Sequence, residues 1–299
     1  MNNRVIAVVV TFNRKAFLLQ VLESLFSQTL PLYKILVIDN DSKDGTFSAL
    51  SDIMLDERII YFNTGGNLGG AGGFHFGFCQ AEKYEYDHLW LMDDDLCPDI
   101  DCLEKMLNIE NEGIIQPVRY NLDGSCAEIS PVKYDLSSLF LVNPKRETVV
   151  SKHDTLVKDG FLYIDGVPFE GPLISKKLID VIGKPNPKFF IFYDDLDYAI
   201  RARNAGFKIK CLHSAKATRL LTNNQKDDLK SWKGYFMLRN FFYILRTYGN
   251  NYVVKNKSVP IAFVYGFISL LKLDLKQVKI VINAYFDSKT LDGSDSHKP

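Results

Sequence analysis

Cysteines that could pair, long apolar runs and an excess of one charge are all lacking in this chain of 299 residues. The five cysteines are an odd number and include no Cys-x-x-Cys pair, which argues against a disulfide framework and a zinc ribbon. We therefore expect reduced cysteines, as in a cytosolic protein. The 36 basic and 36 acidic residues give a formal net charge of zero. No broad cationic field results, so nucleic acid is not an expected partner.

The apolar stretches are too short for a secretory signal or a membrane span. Val5–Val10 is shorter than the core of a signal peptide. Val259–Leu271 has roughly half of the about 20 residues that a spanning helix needs. Because Lys255, Lys257 and Lys272 flank it, two alternatives stay open. One is a helix packed on its own domain, and the other is peripheral contact of residues 255–275 with a membrane surface. We expect a cytoplasmic protein, with or without such contact at the inner face of the membrane.

Short apolar strands alternate with helices in the first hundred residues. The runs Val5–Val10, Lys34–Ile38, Ile59–Phe62 and His88–Met92 predict strands, and Lys15–Gln28 has apolar residues at helical spacing. This alternation predicts an α/β fold with a doubly wound, mostly parallel sheet that has helices on both faces.

The second half of the chain is less regular. The pattern predicts helices over Gly171–Gly183, Asp195–Ala205 and Trp232–Tyr248, with a strand over Phe189–Tyr193. Residues 120–165 show no clear periodicity and could hold extra strands or a substrate-specific insertion. The last dozen residues are polar, which predicts disorder.

Ligands of open α/β sheets bind beyond the carboxyl ends of the strands, so the residues that follow each predicted strand are the candidates for a site. These segments are polar or glycine-rich, and they are Thr11–Arg14, Asp39–Asp41, Asn63–Gly73 and Asp93–Asp95. We expect them to converge on one site.

The triplet Asp93-Asp94-Asp95 is the strongest local signal. Three consecutive carboxylates after an apolar strand repel one another, and a divalent cation removes that cost. Oxygen ligands in an open coordination sphere suit Mg²⁺ or Mn²⁺, which would also hold substrate phosphates. The alternative is a solvated acidic turn. The position at a strand end favours the metal.

The other strand ends supply further polar groups. Asp39 could accept hydrogen bonds from a ribose or a base, or serve only as a turn residue. Arg14 is suited to a phosphate, although exposed arginines are frequent. The glycines of Gly65–Gly73 would let backbone amides approach phosphate or sugar oxygens. His75 occupies the place of the third glycine of Gly-x-Gly-x-x-Gly, and no P-loop ending follows, so neither nucleotide motif is supported.

A second acidic cluster, Tyr193–Asp197, follows another apolar segment and begins a predicted helix. At least one of its three carboxylates is expected to cap that helix. A general base near a metal-bound leaving group would also suit this place.

In combination these segments resemble family 2 glycosyltransferases of the GT-A fold. The matching segments, in chain order, are Val5–Arg14, Leu36–Gly45, Asn67–Gly73, Asp93–Asp95 and Phe190–Gly206. The form of the motifs is similar to bacterial galactofuranosyltransferases and their rhamnosyltransferase relatives. Asp194-Asp195 stands where ordinary members have Glu-Asp, which favours the galactofuranosyl branch. The segment from Gly234-Tyr235 to Arg239-Asn240 also resembles a downstream part of these enzymes.

The resemblance implies a role for each matching residue. Asp195 would be the catalytic base, and Asp93 and Asp95 would bind Mn²⁺ or Mg²⁺. The nucleotide-sugar would contact Thr11, Asn13 and Arg14, with Asp39 on the uridine, Asn67 and Gly70 beside the diphosphate and Asp94 facing the donor.

One position departs from the family. A metal-binding histidine usually lies about thirteen residues after the glycine that matches Gly206, and here that residue is Arg219. Arginine cannot ligate a cation. Either His213 substitutes, or the aspartates, diphosphate and water hold the metal, or Arg219 itself neutralises the diphosphate. We favour the last two together.

The resemblance implies a GT-A nucleotide-sugar-binding domain over residues 1–220 and a helical region over residues 221–299. It implies inverting transfer of galactofuranose from UDP-galactofuranose to a glycan or lipid-linked glycan acceptor, in bacterial cell-surface polysaccharide synthesis. The alternatives are a rhamnosyltransferase using dTDP-rhamnose and a degenerate scaffold that binds sugar nucleotides without catalysis. A homo-oligomer is also considered. A sugar nucleotidyltransferase is disfavoured, because the glycine-rich signature with a basic residue near the N-terminus is absent.

Overall fold

A computed structural model describes residues 3–110, 112–141, 143–221, 228–229 and 231–299. Its first elements alternate strand and helix as predicted. They are β1 (Val5–Thr11), α1 (Lys15–Phe26), β2 (Lys34–Asp39), α2 (Thr46–Ala49), β3 (Ile59–Asn63), α3 (Gly69–Ala81), β4 (His88–Asp93), β5 (Leu96–Pro98), α4 (Cys102–Leu107) and β6 (Ile114–Asn121). The four predicted strands are confirmed, and each extends one residue further than expected.

The middle of the chain contains a hairpin and the remainder of the main sheet. These elements are β7 (Pro131–Tyr134), β8 (Lys145–Thr148), α5 (His153–Asp159), β9 (Phe161–Tyr163), β10 (Leu173–Ser175), α6 (Lys176–Ile182), α7 (Asp194–Asn204) and β11 (Ile209–Arg219). Strands β7 and β8 pair only with each other, as a separate two-stranded sheet. Of the two alternatives for residues 120–165, the structure therefore shows extra strands.

Two predictions for this part of the chain were wrong. The helix expected over Gly171–Gly183 is only the seven residues of α6, because Leu173–Ser175 is a buried strand that pairs with β4 and β6. Three residues are too few to show a strand period. The strand expected over Phe189–Tyr193 is instead a turn in which Phe190, Phe192 and Tyr193 have φ values of 65° to 67°.

The main sheet has nine strands among the described residues, in the order β3-β2-β1-β4-β10-β6-β11-β5, with β9 also on β11. Strands β3, β2, β1 and β4 are parallel, and β10, β5 and β9 run antiparallel to their neighbours. The sheet is therefore mixed, and its parallel half holds most of the predicted strand ends.

Side chains of β1 alternate between two hydrophobic cores, one on each face of the sheet. Val5, Ala7 and Val9 pack with α1 and α4, while Ile6 and Val8 pack with α3, α6 and α7. Period-two alternation of this kind buries a strand on both faces. Helices cover both faces, as predicted.

The last part of the chain is helical, with α8 (Lys233–Tyr248), α9 (Tyr252–Lys255), α10 (Ser258–Leu271) and α11 (Leu275–Asp287). The predicted helix over Trp232–Tyr248 is thus confirmed. In the tail, for which composition predicts disorder, the Ser294 hydroxyl accepts a hydrogen bond from Arg239 of α8 at 2.6 Å. The His297 ring stacks on Tyr235 at 3.6 Å between centroids. No helix in the described ranges is long and apolar enough to cross a membrane.

Candidate active site

Parallel pairing brings three predicted strand ends to one edge of the sheet. Thr11 at the end of β1 lies beside Asp39 at the end of β2, and Val10 lies beside Asp93 at the end of β4. The expected convergence of these segments is therefore confirmed.

Asp94 accepts hydrogen bonds from several residues at the end of β1. One of its carboxylate oxygens accepts hydrogen bonds from the Thr11 hydroxyl at 2.8 Å and the Phe12 amide at 3.3 Å. Arg14 Nη1 lies 3.1 Å from the other oxygen and 3.3 Å from Asp95. Asp94 is thus turned toward the end of β1, and Arg14, half exposed, balances the charge of two aspartates. In this state Arg14 already has carboxylate partners where we expected a phosphate.

Asp93 is partly buried and Asp95 is buried, in surroundings that would favour a cation. Burial, followed by repulsion from Glu170, raises the pKa of Asp95 to about 6 and that of Asp93 well above its usual range. A divalent cation would relieve this repulsion. No three His, Cys, Asp or Glu side chains form a metal-binding group within the described ranges. Because Mg²⁺ is commonly held by one or two carboxylates plus substrate phosphates, these residues fit a metal bound together with a diphosphate.

The loops after β1 and β2 are tied to each other. The Asn13 side-chain oxygen accepts a hydrogen bond from the backbone amide of Lys43 at 2.7 Å, and the backbone amide of Asn13 donates to the Ser42 hydroxyl at 2.8 Å. Asp39 accepts from the Ser42 amide at 2.8 Å and from the Tyr61 hydroxyl at 2.7 Å. Asp39 therefore has the turn role that we considered for it, while its position at the strand end also keeps it beside the candidate nucleotide site.

The glycine-rich segment serves packing at several positions. A Cβ atom on Gly77 would lie 2.3 Å from Val8, so this glycine lets α3 approach β1 closely. Gly69 has a φ of +70°, and a Cβ there would lie 2.1 Å from the Phe190 carbonyl oxygen. Asn67 accepts a hydrogen bond from the Gly69 amide at 2.9 Å, which forms the turn into α3. Gly70 alone of these three glycines has open space around it, as a ligand contact requires.

The segment before α7 meets this glycine turn. The Ala71 amide donates a hydrogen bond to the Phe190 carbonyl at 3.1 Å, so the segment that leads to Asp194-Asp195 contacts the first turn of α3. Burial raises the pKa of Asp195 to about 6; the hydrogen bond from the Leu196 amide lowers the pKa, and repulsion from Glu170 raises it. None of the three acidic side chains caps α7, whose N-cap residue is Tyr193, so that expectation was wrong.

Helix α8 holds the turn before Asp194, with its positive φ values, in place. The fully buried Asn240 amide donates to the carbonyls of Phe189, Ile191 and Phe192 at 2.8–3.1 Å. Arg239, also fully buried, donates to the carbonyls of Lys188 and Phe189 at 2.8 and 2.9 Å. These donors replace the sheet partners that a strand would have had. The turn therefore depends on residues that lie about fifty positions downstream.

Glu170 is a site residue that sequence reasoning missed. It forms ion pairs with the buried Arg119 and with Arg219, whose Nε lies 3.2 Å from a carboxylate oxygen of Glu170. The side-chain amide of Gln116, on β6, donates a hydrogen bond to the backbone carbonyl of Glu170 at 2.9 Å. Its charge acts on both Asp95 and Asp195. A single acid in an aperiodic segment carries no local signal of this role.

Arg219 and His213 are placed very differently. Arg219, the last residue of β11, pairs with Leu96 of β5, and the next amide donates to the Asp95 carbonyl at 2.8 Å. His213 lies at an irregularity of β11, where its ring is 6.2 Å from that of His153. Arg219 is therefore next to the aspartate triplet, and His213 packs with another part of the chain.

Comparisons with known proteins agree with this geometry. The model of the family described as "Glycosyl transferase family 2" matches residues 6–149. Galactofuranosyltransferase GlfT1 of Mycolicibacterium smegmatis is 28% identical over 210 residues, which cover 68% of this chain and 66% of the relative. GlfT1 of Mycobacterium tuberculosis is 29% identical over 225 residues, covering 72% of this chain and 70% of that protein. The chain thus matches about two thirds of the length of these relatives.

Solved structures share the fold at low sequence identity. GalNAc-T7, solved with UDP, GalNAc and Mn²⁺, superposes with a TM-score of 0.66 at 13% identity, covering 99% of this chain and 58% of that one. A mannosyltransferase of Pyrobaculum calidifontis, solved with GDP-Man and Mn²⁺, gives a TM-score of 0.58 at 13% identity, covering 98% and 88%. Strand order, motif placement and these matches lead to one conclusion: residues 6–149 carry the glycosyl transferase family 2 match, and the chain has the GT-A fold.

Proposed function

We propose that the protein transfers galactofuranose, with inversion, from UDP-galactofuranose to a hydroxyl group of a glycan acceptor in bacterial cell-surface polysaccharide synthesis. The family supports sugar transfer, and the two GlfT1 relatives support the choice of sugar. The Asp194-Asp195 pair, where ordinary members have Glu-Asp, also favours this branch. Residues 1–220 would bind the donor and residues 221–299 would form the helical region.

The observation that carries the proposal is the position of Glu170 between the two acidic clusters. Its charge raises the pKa of Asp95 on one side and of Asp195 on the other. The proposed base Asp195 and the proposed diphosphate site at Asp95 would therefore both lie close enough to Glu170 to be affected by its charge. A pKa of about 6 leaves Asp195 mostly ionised at neutral pH and still basic enough to accept a proton.

In the proposed reaction, Asp195 accepts the proton of the acceptor hydroxyl as its oxygen attacks the anomeric carbon. The bond from that carbon to the diphosphate breaks on the opposite face, and UDP leaves. Arg14 and Arg219 would neutralise the charge that develops on UDP. Asp93 and Asp95 would hold Mn²⁺ or Mg²⁺, which when bound supplies further charge neutralisation to the diphosphate.

The hairpin of β7 and β8 is the proposed acceptor side of Asp195. Lys145 of β8 is largely buried; burial lowers its pKa, and the Asp195 charge opposes that shift. On β7, burial raises the pKa of the Tyr134 hydroxyl, and the charge of Asp195 raises it further. We therefore expect the acceptor hydroxyl to reach Asp195 beside this hairpin.

A panel of sugar nucleotides, assayed by nucleotide release with and without Mn²⁺, tests the donor. We expect UDP release from UDP-galactofuranose in the presence of Mn²⁺ and an acceptor glycan. Faster release of dTDP from dTDP-rhamnose would overturn the choice of donor. Absence of release from every donor would support the degenerate scaffold instead.

The base is tested with Asp195→Asn. Turnover should fall by about 10²–10⁴-fold, the usual contribution of a general base, with donor affinity nearly unchanged. The exposed Asp154→Asn is the matched control and should retain normal turnover. Normal turnover of Asp195→Asn would sink the assignment.

A further inference from the structure

The hairpin of α10 and α11 presents large apolar side chains to solvent. We call this surface the apolar face, and its members with their exposed fractions are Phe263 (72%), Phe267 (51%), Leu271 (69%), Leu273 (84%), Leu275 (68%), Ile282 (49%) and Phe286 (57%). Phe263 and Phe267 stack in parallel with centroids 6.1 Å apart. A contiguous exposed patch of this kind marks an interaction surface, whereas single exposed apolar residues need no explanation.

The charge around the apolar face is strongly one-sided. Residues 252–289 contain six lysines and two aspartates, a net charge of +4 in a chain whose total is zero. Both aspartates are occupied, since Asp274 caps α11 through the Gln277 amide and Asp287 accepts from the Tyr235 hydroxyl at 2.6 Å. The rest of the chain is correspondingly acidic, so the positive charge is local to this hairpin.

Five of the six lysines are free to meet a partner. Lys257 is buried, where its ammonium group donates to the carbonyls of Ser138 and Leu141. The others are exposed and form no ion pair within the described ranges, and they are Lys255, Lys272, Lys276, Lys279 and Lys289. Two of them, Lys272 and Lys276, alternate with the most exposed leucines at the turn between the helices.

We propose that the apolar face binds the surface of an anionic lipid bilayer, with the turn between α10 and α11 inserted among the headgroups. Apolar side chains rimmed by lysines are the chemistry of interfacial helices. Leu273 and Leu275 would enter the boundary with the acyl chains, while Lys272 and Lys276 would meet lipid phosphates. Helix α10, with 14 residues, lies on such a surface and does not span it.

A second copy of this chain fits the apolar face less well. In a two-fold dimer the same surface patch of both subunits is in contact, so the apolar face of one copy would pack against the apolar face of the other. Here that would place two faces of net charge +4 against each other, with no free carboxylate on either hairpin. Like charges across an interface oppose association. A bilayer with anionic lipids supplies the missing opposite charge.

Binding through this face would set the orientation of the active site. Val281 and Ala284 of α11 pack against Leu238 and Phe242 of α8. That same helix donates the hydrogen bonds of Arg239 and Asn240 to the turn before Asp194. The apolar face and the catalytic turn are therefore joined by one packed helix, which would present the acceptor side at a constant distance from the lipid.

The test is co-sedimentation of the full-length protein with vesicles of phosphatidylcholine alone or with phosphatidylglycerol added. Truncation is unsuitable, because the tail contacts Arg239. We expect binding to the anionic vesicles that weakens at high salt. In Lys272→Glu/Lys276→Glu the partition coefficient should fall at least about 25-fold, since each basic residue near the surface contributes about fivefold. Leu273→Gln/Leu275→Gln should also reduce binding.

Matched control variants separate this face from general surface effects. Leu55→Gln/Leu122→Gln changes leucines of equal exposure, 83% and 69%, and Lys158→Glu/Lys208→Glu reverses two exposed lysines elsewhere. Both should bind like the original chain. Equal binding to neutral and anionic vesicles, or no binding, would overturn the proposal. A dimer in light scattering that Leu273→Gln/Leu275→Gln abolishes, without vesicle binding, would assign the face to a second copy. None of these outcomes depends on which donor is used.

Discussion

Glu170 adds to the effect of burial in raising the pKa values of two carboxylates that have different proposed roles. It repels Asp95 after β4 and Asp195 at the start of α7, and burial together with this repulsion raises both pKa values to about 6. Arg119 and Arg219 hold Glu170 in place through ion pairs. Removing its charge while keeping its shape should therefore change how the site responds to pH.

Activity should fall as the pH decreases through about 6, because the base must be ionised to accept a proton. In Glu170→Gln the repulsion of Asp195 is gone, so the pKa of Asp195 falls and the acidic limb of the profile moves to lower pH. Initial rates at saturating donor, measured on both sides of pH 6, would show this. Glu57→Gln, at an exposed acid, should leave the profile unchanged. A Glu170→Gln profile that superimposes on the original would contradict the proposed coupling.

At the scale of elements, helix α8 determines the conformation of the segment before α7. Phe190, Phe192 and Tyr193 all have positive φ values, which are costly for bulky residues. The hydrogen bonds from Asn240 and Arg239 offset this cost by satisfying carbonyls that have left any regular ladder. The helical region thus supports the turn that precedes the proposed base, Asp195.

Asn240→Ala should lower the free energy of unfolding by about 2–4 kcal/mol, because it leaves buried carbonyls without donors. Turnover should fall as well, since the turn that positions Asp195 loses its support. Urea unfolding and nucleotide release measure the two effects. The control is Asn256→Ala, where the side chain donates one hydrogen bond at an exposed helix end and the change should stay within about 0.5 kcal/mol. Equal stability of the two variants would refute this role of α8.

At the scale of the whole molecule, the site draws on elements from every part of the described chain. Strands β1, β2 and β4 contribute their carboxyl ends, and Glu170 and Arg219 contribute an ion pair. Helix α7 contributes Asp195, and α8 supports the turn before it. A ligand that contacts several of these elements stabilises the folded state by mass action. The metal and the diphosphate should therefore depend on each other.

UDP and Mn²⁺ together should raise the melting temperature by more than the sum of their separate effects. At about one hundred times the dissociation constant the stabilisation is about 2.7 kcal/mol, which for a chain of this size corresponds to roughly 4 °C. Thermal unfolding followed by fluorescence would measure it. Asp93→Asn/Asp95→Asn should lose the synergy, while Asp101→Asn/Asp123→Asn should keep it. Purely additive shifts in the original chain would argue against a shared site.

Local sequence by itself determined the parallel half of the sheet and the polar groups at its edge. Runs such as Val5–Val10 are buried on both faces, so their composition alone identifies strands, and residues that follow them must lie at the edge. For the same reason the placement of Thr11, Asp39 and Asp93 was predictable. The role of Arg219 beside the triplet was one of the alternatives that the sequence left open.

Tertiary structure decided the rest, because those features depend on contacts between distant parts of the chain. Glu170 acquires its proposed role only because the fold brings it to Arg119 and Arg219 and near Asp95 and Asp195. Phe189–Tyr193 has the composition of a strand, and it forms a turn with three positive φ values because donors about fifty residues away satisfy its carbonyls. The local sequence pattern indicates whether a residue is buried or exposed, whereas tertiary packing determines which distant residues contact it.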